Sequence, residues 1–66
     1  MAWKRIAGGT LVSSQSEYRC DEEFENTVTG ERRRFASTDR AHDIMPQTVD
    51  SIEEITSLAG VKEWPR

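Results

Sequence analysis

Residues 18–37 read YRCDEEFENTVTGERRRFAS, an acidic block that runs into three consecutive arginines across a polar connection. Five acids and one base occupy positions 17–25, whereas positions 31–34 hold one acid and Arg32, Arg33 and Arg34. The intervening Asn26, Thr27, Val28, Thr29 and Gly30 read as a turn, because Gly accepts positive φ freely and Asn tolerates it. With Thr29 and Gly30 at the centre of a two-residue turn, Phe24 faces Phe35 and Glu25 faces Arg34 across a β-hairpin. An aromatic pair and an opposite-charge pair each contribute roughly 0.2–1 kcal/mol relative to alanines. One face then carries Tyr18, Cys20, Phe24, Val28 and Phe35. The other carries Asp21, Glu23, Glu25, Arg32 and Arg34, with Ala36 as its apolar member. That contrast suits an antiparallel sheet buried on one side. A longer loop over residues 26–30 is the competing choice of turn.

A lone hairpin is marginal in water, so neighbouring segments must cover it. Upstream, Trp3, Ile6, Leu11 and Val12 surround Gly8 and Gly9. This suggests a short strand, a bend, and a second strand over residues 10–14 that joins the hairpin. Downstream, Val49, Ile52, Ile55, Leu58 and Ala59 recur at threes and fours and predict a helix over about residues 49–59. Thr48 or Asp50 is placed to cap it, Asp50 and Glu53 have the capping-box spacing, and Gly60 stands where a left-handed C-cap belongs. Between hairpin and helix, residues 39–45 have the makings of one helical turn capped by Ser37, Thr38 or Asp39, closed by Pro46. The expectation is an α+β domain, with an antiparallel sheet covered by one C-terminal helix. The alternative is a small SH3-like barrel with a terminal helix.

Composition sets the frame for function. Sixty-six residues, 35% hydrophobic and 32% charged, allow a single domain over residues 1–66 with a thin core. Ile, Leu, Val and Phe supply 12 residues. That is just under the share of about 20% below which disorder becomes a concern, but disorder also needs a high net charge. The formal charge of −3 does not provide it. The longest weakly polar stretch, residues 6–12, contains two glycines and a threonine and is far short of a membrane span. Lys4 and Arg5 ahead of it do not make a secretory signal, because the apolar part is too short and no small-residue cleavage site follows. With a single cysteine that cannot form an internal disulfide, the expected compartment is the cytoplasm. The near-neutral total also differs from the distinctly basic balance of a general nucleic-acid binder.

No catalytic set stands out. Cys20 and His42, with Asp39 or Asp43 to orient the base, are the one nucleophile–base combination of their type. Cys20, however, falls on the apolar face, where a free cysteine behaves as a small hydrophobe. Asp39, His42 and Asp43 share a helical spacing but lack a fourth metal ligand. Neither Gly8 and Gly9 nor the acid pairs match a phosphate loop or a glycosidase pair. The residues left to consider are Arg32, Arg33 and Arg34, a possible phosphate clamp opposed by an acidic strand, and Trp3 and Trp64. Tryptophan is enriched in binding hot spots, yet these two could equally meet over the sheet and cover it. The expectation is a non-catalytic interaction or regulatory protein of bacterial or phage type, with no cofactor, metal or membrane. It would bind a protein partner or a second copy of itself. A nucleic-acid binder using Arg32, Arg33 and Arg34 is the alternative.

Overall fold

The computed structural model describes residues 2–11 and 17–64. In chain order these form β1 (Trp3–Leu11), β2 (Cys20–Asn26), β3 (Arg32–Ser37), α1 (Asp39–Ile44), β4 (Thr48–Val49), α2 (Ile52–Thr56) and β5 (Val61–Glu63). The strands build one antiparallel sheet in the order β4-β1-β2-β3-β5, curled into a half-barrel with the two short helices against it. Its two ends, β4 and β5, are not hydrogen-bonded to each other.

The hairpin forms, but its register differs by two residues from the expected one. Phe24 stands opposite Arg33, Glu25 opposite Arg32 and Glu22 opposite Phe35. Asn26 is the cause. Its side-chain Oδ1 accepts the N–H groups of Val28 (2.8 Å) and Thr29 (3.0 Å), and its carbonyl accepts that of Gly30 (2.8 Å). Asn26 N–H in turn donates to Glu31 O at 2.7 Å. The chain therefore reverses over residues 27–30, with Gly30 at φ +79°. Val28 leaves the apolar face and lies exposed in the loop. Because side chains alternate with period two, a two-residue shift keeps every strand residue on its expected face. Phe24 and Phe35 become diagonal neighbours and still meet edge to face, with centroids 5.9 Å apart and planes at 81°.

Upstream, β1 runs unbroken where a bend was expected. Gly8 and Gly9 lie within the strand, and the ladder with β2 shifts register between Arg5 and Ala7 and again between Gly8 and Thr10. Thr10 and Leu11 belong to β1 itself, and residues 12–14 of the expected second strand lie outside the described residues.

The C-terminal helix is the main correction. It spans five residues, Ile52–Thr56, and does not cover the sheet alone. Val49 belongs instead to β4, opposite Trp3. Ser51 is extended at φ −147°, ψ 159° and starts the helix. At the other end Thr56 Oγ1 donates to Ile52 O (3.3 Å) and Ser57 Oγ to Glu54 O (3.1 Å). Such back-bonding hydroxyls disfavour continuation of the helix. The apolar spacing of three is thus met by a strand, one short helix and a turn in succession. After Gly60, at φ +85°, the chain forms β5, a strand the sequence did not announce.

α1 answers to the expected turn, with Thr38 as its cap. Thr38 Oγ1 accepts the N–H of Ala41 at 3.2 Å, and Met45 turns extended before Pro46. Both helices contribute to the core. Phe24, Phe35 and Ile55 are fully buried, joined by Trp3, Ala41, Met45, Val49 and Val61. Burying a side chain as large as Phe or Ile stabilises by about 1.5–3 kcal/mol.

Candidate interaction surface

Arg32, Arg33 and Arg34 do not form one patch. Strand alternation sends Arg33 to the face of Phe24 and Phe35, and Arg32 and Arg34 to the other. Arg33 makes a bidentate pair with Glu63, Nε and Nη2 each donating at 2.5 Å. Arg34 Nη2 donates to Asp21 Oδ2 at 2.5 Å, and Arg32 Nε to Glu25 Oε2 at 3.2 Å. Hydrogen bonding to Glu63 and to Asp21 raises the pKa values of Arg33 and Arg34 above the usual guanidinium value. Each arginine of the run therefore faces a carboxylate supplied by this chain.

The two tryptophans part company as well. Trp3 is buried in the core beside Val49 and lines a shallow groove of about 620 Å³ that also touches Ile52, Arg33 and Glu63. Trp64 follows β5 on the opposite face, half-buried, with Nε1–H donating to Asp21 Oδ1 at 3.0 Å. They do not meet over one face of the sheet. On the face of Trp64, Lys62 Nζ sits 4.6 Å from the centre of the Tyr18 ring.

Cys20 and His42 have separate partners. The buried thiol of Cys20 donates to Asp39 Oδ1 at 3.4 Å, while Asp39 also pairs with Arg19. Burial, and then the nearby Glu22, push the Cys20 thiol pKa up, with the Arg19 and Arg5 charges opposing. His42 Nδ1 lies 2.6 Å from Glu22 Oε2 and 2.8 Å from Arg5 Nη2. With its proton on Nδ1 the ring donates to Glu22; with the proton on Nε2 it accepts from Arg5. Among the described residues no three His, Cys, Asp or Glu side chains converge as metal ligands.

The residue at the centre of this network, Glu22, was not singled out from the sequence. It is fully buried, and both carboxylate oxygens are saturated. Oε1 accepts from Arg5 Nε (3.0 Å) and Nη2 (2.5 Å), and Oε2 from Ser37 Oγ (2.8 Å) as well as facing His42. The cluster ties β1, β2, β3 and α1 together in the core. Gly8 leaves room for it, since a Cβ there would stand 2.3 Å from Glu22 Oε1. The signal was present: Glu22 has the parity of Cys20 and Phe24, which puts it on the apolar face.

A second feature is the outer edge of β1. β4 pairs only with Trp3 and Lys4, and the N–H of Arg5 donates to Gln47 O at 2.8 Å. Beyond that point, among the described residues, no strand pairs with the outer edge of residues 6–11. A shallow depression of about 230 Å³ runs along its start, lined by Arg5, Ile6, Ala7, Gly8 and Gln47. Ile6 is 39% exposed there. The sequence carries a corresponding mark: from Ile6 to Ser16 there is neither a charge nor a proline, in a chain with 32% charged residues. Charges and prolines are the usual guards of an edge strand. The two register shifts twist this edge but do not charge it. Comparison with protein-family models, with curated proteins and with solved structures finds no match to this chain.

Proposed function

We propose that this chain is a small non-catalytic interaction protein of bacterial or phage type, acting in the cytoplasm. Its binding element is the open edge of β1, which accepts an extended segment of a protein partner as an added strand. The uncharged edge over residues 6–11, which no strand pairs among the described residues, is the observation that carries this reading. Backbone donors and acceptors along such an edge bind an extended peptide through main-chain hydrogen bonds. The nucleic-acid alternative has less support, because Arg32, Arg33 and Arg34 lie on two faces and each is paired with an acid.

The test is a titration of the isotopically labelled protein with short uncharged strand-forming peptides, followed by amide shifts. Shifts concentrated on residues 6–11, lost with N-methylated peptides and weakened in an Ile6→Lys/Ala7→Lys variant, are expected. Both substituted side chains are exposed, so the variant charges the edge without opening the core. Shifts elsewhere, or none, would remove the edge from consideration.

A further inference from the structure

We infer that Glu22 fixes the His42 proton on Nδ1 and so leaves Nε2 as an accessible lone pair, which pH converts from hydrogen-bond acceptor to charged donor without releasing α1. His42 is the one histidine of the chain. Its ring joins α1 to the buried cluster through Nδ1, 2.6 Å from Glu22 Oε2 and 2.8 Å from Arg5 Nη2. One nitrogen cannot serve both neighbours, since Oε2 needs a donor and Nη2 an acceptor. Arg5 already has its acceptor, because Nε and Nη2 donate to Glu22 Oε1 at 3.0 and 2.5 Å. Without a hydrogen on Nδ1, its lone pair and an oxygen of the fully buried carboxylate would stand 2.6 Å apart with nothing between them. Two facing acceptors repel strongly where water cannot screen them. The proton therefore belongs on Nδ1, and the carboxylate orients the ring as carboxylates orient metal-ligating histidines. Nε2 meets no hydrogen-bonding group among the described residues, and none of their buried side-chain nitrogens or oxygens lacks a partner. Nε2 therefore reaches solvent, on a side chain 29% exposed. A further proton goes to Nε2 and leaves the Nδ1–H bond to Glu22 in place. The atom offered to a binding partner then changes from one that takes a donor to one that takes a carboxylate or carbonyl. The charged groups facing the ring are Arg5 of β1 and Glu22 of β2, while Ser37 of β3 shares Oε2 without charge. On α1 itself Asp39 is engaged by Arg19 and Cys20, and Asp43 is exposed.

Nitrogen NMR of the isotopically labelled histidine ring across a pH series tests it, with amide exchange of residues 41–44 followed on the same samples. At alkaline pH the expected spectrum has Nδ1 in the position of a protonated ring nitrogen and Nε2 in that of a lone pair. On acidification Nε2 alone moves to the protonated position, and exchange of the α1 amides changes only by the intrinsic effect of pH. The opposite tautomer at alkaline pH, or an even mixture of the two, overturns the inference. Exchange in α1 that quickens in step with the ring titration also overturns it, because the added proton would then be releasing the helix. Glu22→Gln supplies a second reading: Arg5 claims the amide oxygen, the amide N–H faces Nδ1, and the tautomer should reverse. A folded Glu22→Gln protein that keeps its proton on Nδ1 would show that something other than the carboxylate sets it. The wild-type spectra decide the matter even if that variant fails to fold.

Discussion

Glu22 shows how few alternatives a thin core leaves to one charged side chain. A buried ion pair adds little net stability compared with apolar residues, but removing one partner of it leaves an uncompensated charge. Glu22→Ala would strand Arg5 and remove the acceptor of Ser37, so we expect a loss of about 3–5 kcal/mol, measured by urea unfolding. Glu22→Gln keeps the shape and should cost less than Glu22→Ala while still destabilising. A loss below about 1 kcal/mol for Glu22→Ala would mean that water replaces the partners. Gly8→Ala tests the same packing from the other side, since its Cβ collides with Glu22 Oε1 and Arg5; overpacking of this kind costs about 1–3 kcal/mol. Cys20 gives a pH signature. Its raised pKa means that the folded protein holds the thiol proton more tightly than the unfolded chain. The associated stability is therefore complete below the unfolded value and lost as pH rises through the folded one, a window that opens near the ordinary value of 9.0. Melting temperature should fall on that alkaline side more steeply than in Cys20→Ala, and alkylation of the native thiol should be slow at neutral pH. The face of Glu22 follows from parity alone, yet its four contacts come from residues 5, 37 and 42, and no local pattern joins those positions.

At the level of elements, period two fixed the faces of the hairpin and the turn fixed its register. The expected two-residue turn and the four-residue loop that forms differ by two positions in register, so Phe24 and Phe35 share a face in either case. What separates them is the side chain of Asn26, which captures two backbone N–H groups and closes a four-residue loop. Asn26→Ala should cost about 1 kcal/mol, and Gly30→Ala a similar amount because φ +79° is strained for a residue with Cβ. If either substitution instead leaves the unfolding midpoint unchanged, the loop adapts and the register is held by the strands alone. Phe24–Phe35 contacts by NMR would then persist with the two-residue shift intact. The helix at the other end illustrates why periodicity misled. Val49, Ile52, Ile55 and Leu58 are spaced by three, which a helix of 3.6 residues per turn fits only approximately over this length. A strand residue opposite Trp3, one face of a short helix and one turn residue bring the same four side chains to the core, Val49 and Ile55 buried and Ile52 and Leu58 partly so. Length, rather than hydrophobicity, was the information the pattern lacked.

Across the whole molecule, charge is arranged to hold the end strand of the sheet, and this bears on what the arginine run does. β5 lies at one end of the sheet and is three residues long. It is held by its ladder with β3, by the Arg33–Glu63 pair on one face and by the Trp64–Asp21 hydrogen bond on the other. Arg33 and Glu63 are each a little over one-quarter exposed, whereas the Arg32 side chain is 61% exposed against Glu25. Neighbours in sequence and identical in chemistry, Arg32 and Arg33 should therefore respond differently to removal. Exposed single pairs contribute about 0–1 kcal/mol, so Arg32→Ala should leave the unfolding midpoint within error. Arg33→Ala gives up two short charge-assisted hydrogen bonds and leaves Glu63 half-shielded, so we expect a loss of about 1–2 kcal/mol. Amide exchange should speed up first in residues 61–63, where the strand peels from β3. Salt sharpens the distinction: raising ionic strength screens the exposed Arg32–Glu25 pair and should leave the cost of Arg33→Ala largely intact. The same variants probe the alternative function. A phosphate clamp predicts saturable oligonucleotide binding at low salt that weakens by similar factors in Arg32→Ala and Arg33→Ala. A role in holding β5 predicts no such binding and a stability cost confined to Arg33. Equal stability costs for the two substitutions, with β5 exchange unchanged in both, would show that the ladder alone holds β5 and that Arg33 is free for another task.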